Sequence, residues 1–133
     1  MILHTDGGCS GNGQLDITKR KMVMVVTDLC GNVLIEKEED GGSNNIAELI
    51  AVREALNWCI KNGYKEVEII TDSKNTMSWV WNKKVGKKIN DRERVMDIKS
   101  VIDEYLKEIK LSLQWKPREE NWAGIHIENK YSL

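Results

Sequence analysis

The sequence predicts an α/β fold built on a mixed five-stranded sheet, with strands 1–3 antiparallel, the later strands parallel, and helices on the faces. Three observations carry this expectation. The apolar runs "MVMVVT" (22–27) and "VLIEKE" (33–38) flank the glycine-containing "DLCGN" and read as a hairpin. Residues 45–63 and 91–109 place apolar residues every three to four positions, the mark of amphipathic helices. After the hairpin, strand-like and helix-like segments alternate, as they do when parallel strands are joined by helical crossovers.

Taken in order, "MILHT" (1–5) reads as a strand and "GGCSGNGQ" (7–14) as a glycine-dense turn. The hairpin follows. In 45–63, Ile46, Leu49, Ile50, Leu56 and Ile60 recur at helical spacing, an Asn can cap the start, and Gly63 stops the run. "KEVEIIT" (65–71) is a strand, "SKNTMSWVWN" (73–82) a short helix and "KKVGKKIN" (83–90) a basic loop. The second long helix covers 91–109, "KLSLQW" (110–115) is the fifth strand, and "REENWAGIHIENKY" (118–131) is a last short helix.

The 133 residues suit one domain spanning 1–133, able to bury roughly two-thirds of the surface of the unfolded chain. Hydrophobic content of 41% and charged content of 31% are ordinary for a globular protein. A net charge of −1 gives no global basic field, so nucleic-acid binding would need a local patch. Cys9, Cys30 and Cys59 form no Cys-x-x-Cys pair, which argues against zinc and a disulfide framework. No stretch reaches about 18 apolar residues, and Met1 leads directly into a strand without a signal-peptide layout. The expected setting is cytoplasmic, without membrane association.

The chemistry gathers at strand ends. Asp6 closes the first strand in "ILHTDGG" and Asp72 the fourth in "IITDSKN". In open α/β sheets, sites form where strands end and the strand order switches. If these two strands are parallel neighbours, their carboxylates repel unless a proton or cation lies between them. Glu48, near the start of the long helix and flanked by Ala47, Leu49 and Ile50, adds a third acid in apolar surroundings, where a lone charge is costly. Three oxygen donors suit a hard divalent cation such as magnesium or manganese. Two such ions about 3.5–4 Å apart would clamp the attacking and leaving oxygens of a phosphodiester.

"TDGGCSGN", "NNIAEL" and "ITDSK", in this order and at these separations, together with "WKPREEN" before the last helix, resemble the type 1 ribonuclease H family across essentially the whole chain. The resemblance implies a ribonuclease H-like fold and a two-metal endonuclease that cuts the RNA strand of an RNA–DNA hybrid, using Mg2+ or Mn2+. It places Asp6, Glu48 and Asp72 on the family's metal-binding carboxylates. Asn12, Asn44 and Asn45 fall on positions that contact the hybrid backbone, with Ser43 and Ser73 beside them. Short amide and hydroxyl side chains suit a 2′-hydroxyl, which both donates and accepts. A monomer without an obligate protein partner is expected.

The chain departs from the family pattern in two main places. An Ala123-Gly124 step stands where the family's last helix carries Ala-Asp, and "KPREEN" replaces a loop that often holds a His. Glu128 lies one helical turn, about 5.4 Å, beyond Gly124 on the same stripe, and the glycine leaves room for it to reach back as a fourth carboxylate. The alternative is a nucleic-acid-binding module of the same fold with weak or no catalysis, because Gly124 replaces the acid.

Other residues carry a plainer reading beside the functional one. Asp6 and Asp72 can cap turns, and Glu48 can complete a capping box with Asn45. Lys84, Lys87 and Lys88 form a solvated charge run by default and phosphate contacts in this setting. Trp79 and Trp81, two apart on a helix, cannot share a face, so one belongs to the core and the other flanks the basic loop. Cys9 reads as a packed thiol, His4 as a packed histidine and His126 as structural.

Overall fold

The computed structural model describes residues 1–10, 19–82, 86 and 91–131. Five strands form one mixed sheet: β1 (Ile2–Ser10), β2 (Lys21–Asp28), β3 (Val33–Asp40), β4 (Glu66–Thr71) and β5 (Lys110–Trp115), in the order β3-β2-β1-β4-β5. β1–β2 and β2–β3 pair antiparallel, whereas β1–β4 and β4–β5 pair parallel. Among the described residues four α-helices accompany it: α1 (Asn44–Lys61), α2 (Lys74–Trp81), α3 (Arg92–Tyr105) and α4 (Trp122–Tyr131). The mixed sheet and its strand count agree with the fold expected from the hairpin and the alternation.

β2 is apolar from Met22 to Val26 because both faces are covered there. Met22, Met24 and Val26 point into the main core with Leu49, Leu56 and Ile102, while Val23 and Val25 pack on the other side against Ala123 and Ile127 of α4. The β2–β3 turn closes through the Asp28 carboxylate, whose Oδ1 accepts from the N–H groups of Cys30 and Asn32 at 2.9 Å. Gly31 supplies the positive φ of 89° that this turn requires.

Several boundaries differ from the sequence expectation. β1 runs on through Gly7, Gly8 and Cys9, where a turn was expected. Gly7 answers a close approach rather than a turn: a Cβ there would lie 2.3 Å from the Ala47 carbonyl carbon and 2.4 Å from the Glu48 nitrogen. Ser43 caps α1 instead of an Asn, its Oγ accepting from the Ile46 N–H at 3.3 Å. Asn44 and Asn45 are therefore the first two helical residues, and Glu48 lies too far along to complete a capping box. α3 ends at Tyr105, short of 109, although Leu106 and Ile109 continue its apolar stripe into the core. The last helix divides into a 3-10 turn, Arg118–Glu120, and α4.

Candidate metal and active site

Two steps beyond the β1–β4 pair His4↔Ile70, at the same offset, bring Asp6 opposite Asp72. α1 crosses tightly over β1 at Gly7 and sets Glu48 above them. Carboxylate oxygens of Asp6, Glu48 and Asp72 all lie within 4.8 Å of one another. The Asp6 side chain is fully buried, and among the described residues its Oδ1 has no hydrogen-bond partner. Burial first, then the Asp72 charge, pushes the Asp6 carboxyl up to about 9. Burial also raises Glu48 to about 7, against the opposing hydrogen bond from Ser73. Acids so placed cannot all stay charged without a counter-ion.

α4 supplies the fourth side of the cluster. The Asn121 Oδ1 caps it by accepting from the N–H groups of Ala123 and Gly124, while its Nδ2 donates to the Thr5 carbonyl at 2.9 Å. His4 is packed, as expected, and its Nδ1 accepts from the Trp122 N–H at 2.9 Å. Burial lowers the His4 pKa and so favours the neutral form that this contact needs. Gly124 is thereby turned toward the acids: a Cβ on it would lie 3.3 Å from Asp6 Oδ2 and 3.6 Å from Asp72 Oδ2.

A profile of the family described as RNase H matches residues 1–126. The chain belongs to the ribonuclease H family. Membership makes it an endoribonuclease, a phosphodiester hydrolase. Among solved structures it is similar to an RNase H1 isolated from compost by a metagenomic approach, at 28% identity and a TM-score of 0.64, covering 95% of this chain and 90% of that one. The same compost enzyme in complex with an RNA/DNA hybrid matches at 28% identity and a TM-score of 0.61, covering 90% and 87%. The RNase H1 of the halophilic archaeon Halobacterium salinarum shares the fold at 21% identity and a TM-score of 0.63, covering 89% and 86%. No match was found among curated protein sequences.

This ribonuclease H brings some of the residues singled out in the sequence together and leaves others apart. Asn45 and Ser73 border an open groove of about 390 Å³ that also exposes Glu48 and Asp72. Asn44 is exposed beside them. Ser43 and Ser73 serve as N-caps, the latter accepting from the Thr76 N–H at 3.1 Å. Glu128 is not brought to the cluster: it is exposed, one turn beyond Gly124, and lies outside the three-acid group. Asn12, Lys84, Lys87 and Lys88 fall outside the described residues. Trp79 packs against the core while Trp81 is 51% exposed.

Two residues entered the site without being singled out. Trp115, at the end of β5, lines the groove with its indole N–H donated to the Asp72 carbonyl at 3.1 Å and Lys74 Nζ 5.2 Å from its ring centre. Its place at the end of the strand beside β4 was the available signal. Arg118, in the segment that replaces the family's loop His, pairs with Asp6 at 3.2 Å and Asp72 at 3.4 Å.

Proposed function

We propose that the chain hydrolyses the RNA strand of RNA–DNA hybrids with divalent ions, Mg2+ or Mn2+, held by Asp6, Glu48 and Asp72. The observation that carries this reading is the convergence of three carboxylates at the sheet's switch point, one with a buried oxygen that has no partner among the described residues. That orphaned Asp6 Oδ1 and an all-oxygen donor set suit a hard cation. When bound, two such ions would neutralise charge on the scissile phosphate and activate water.

The protein's own part is placement. β1 and β4 fix two acids by sheet register, and the contact at Gly7 fixes Glu48 relative to them. Asn44 and Asn45 stand at the N-terminus of α1, where the helix dipole favours a phosphate and the side-chain amides suit a 2′-hydroxyl. Ser43 and Ser73 hold the two helix starts that present those groups. Trp115 offers an indole face beside the acids for a base or sugar to stack on, next to the cation of Lys74. Lys84, Lys87 and Lys88 are the proposed source of salt-dependent affinity, and the chain acts as a monomer in the cytoplasm.

The test is Asp72→Asn with a labelled RNA–DNA hybrid. Cleavage is lost while circular dichroism and hybrid binding are retained. An unfolded variant would assign Asp72 to structure, and an active one would remove it from the reaction. Hybrid binding by the wild type without cleavage would favour the binding-module alternative, for which Gly124 is the relevant observation.

A further inference from the structure

Arg118 fills the corner of the carboxylate cluster that Gly124 leaves open. Its Nη2 lies 3.2 Å from Asp6 Oδ2 and its Nε 3.4 Å from Asp72 Oδ2, so one guanidinium spans both aspartates. The space exists because residue 124 has no side chain. A Cβ there would lie 3.3 Å from Arg118 Cγ and 3.3 Å from Asp6 Oδ2, and a longer side chain would compete for the same volume. Arg118 reaches in from a single 3-10 turn with 40% of its side chain exposed, so it can withdraw to solvent without opening the core.

Resting on the metal reading above, we propose that Arg118 is a tethered counter-cation that competes with divalent ions for Asp6 and Asp72. Without metal, the guanidinium offsets the repulsion among three crowded acids. Arginine keeps its charge at any working pH, so an entering ion meets a fixed like charge beside two of its ligands. The oxygens that Arg118 engages are the two Oδ2 atoms, while Asp6 Oδ1 has no partner among the described residues. An ion that bridges the two aspartates through these Oδ2 atoms displaces the guanidinium, and the chain then binds metal more weakly than its carboxylates alone would. A side chain 112 positions from Asp6 in sequence thus sets the ion concentration at which the site fills.

Calorimetric titration of Mn2+ or Mg2+ alone, without nucleic acid, tests this on wild type, Arg118→Met and Asp6→Asn. Arg118→Met is expected to bind about tenfold more tightly or better, a gain of about 1.4 kcal/mol. Its melting temperature in EDTA should fall below that of wild type and recover when metal is added. Unchanged or weaker affinity in Arg118→Met, with wild type still binding metal, overturns the proposal and leaves the metal reading intact. Absence of binding in both proteins overturns both. A second measurement needs no substitution: the Arg118 Nε–H resonance of wild type should move toward that of a solvated guanidinium as Mg2+ is added. A resonance that stays in place while the ion binds also overturns the proposal.

Discussion

Asp6→Asn should stabilise the metal-free protein while removing its activity. The Asp6 side chain is 0% exposed, one oxygen lacks a partner among the described residues, and burial with the Asp72 charge lifts its carboxyl from 3.8 to about 9. Near pH 7 the folded protein must hold a proton there that the unfolded chain releases. Across roughly three pH units, at about 1.4 kcal/mol each, that costs on the order of 4 kcal/mol. Asparagine keeps the shape without the ionisation, but forfeits the half-exposed Arg118 pair, which contributes about 1 kcal/mol at most. A net gain of roughly 3 kcal/mol near pH 7 follows. The sign is fixed by the raised pKa. The wild type keeps this stability below the unfolded value near 4 and loses it as pH rises toward 9, so the gap between the proteins widens upward. Urea denaturation in EDTA near pH 4.5, 7 and 8.5 measures it. A variant less stable than wild type near pH 7, or a gap independent of pH, would refute the reasoning.

Four further outcomes are expected. Gly7→Ala forces a Cβ to within 2.3 Å of the α1 backbone at Ala47, so it should cost at least about 1–3 kcal/mol by thermal melting and lower activity by displacing Glu48. Glu36 accepts from His126, Lys130 and Tyr131, and these contacts, led by Lys130, hold its carboxyl down near 2. Glu36→Gln should therefore cost about 1–3 kcal/mol near neutrality, a difference that disappears as pH falls below the unfolded value of 4.5 toward 2. Because Glu128 is exposed and outside the acid cluster, Glu128→Gln should retain near wild-type turnover, whereas a large loss would return it to the site. Neutralising Lys84, Lys87 and Lys88 together should weaken hybrid affinity and flatten its slope against salt, and an unchanged slope would mark them as a solvated face.

What was legible in the sequence followed local rules. Asp6 and Asp72 could be aligned because each follows an apolar run and parallel pairing needs only the crossover pattern between them, although Asp6 proves to lie within β1, which continues to Ser10, and only Asp72 stands at a strand end. Gly31 and Gly63 were read correctly as turn and helix-stop residues because their role is local, a positive φ. Gly7 carries the same local signal, yet its cause is α1 pressing on β1 some forty residues away, so a turn was expected where the strand continues. The apolar spacing of α3 persisted to Ile109 because the turn after the helix also buries its side chains, which periodicity alone cannot separate from another helical turn. Arg118 escaped notice as a site residue for a related reason. Its charge looks like one more surface arginine until the fold closes the 112-residue gap to Asp6. Glu128 lies on the same side of the helix as Gly124 by spacing, but one turn along α4 carries it out to solvent rather than over the acids.

The central claim is that three convergent carboxylates serve hydrolysis of RNA within a hybrid. Incubation of the purified chain with an end-labelled RNA–DNA hybrid in Mg2+ or Mn2+, beside single-stranded RNA, duplex RNA and duplex DNA, tests it directly. The account predicts cleavage of the RNA strand in the hybrid alone, abolished by EDTA and by Asp72→Asn. Cleavage that survives EDTA, equal cutting of single-stranded RNA, or an intact hybrid at every ion concentration would contradict it.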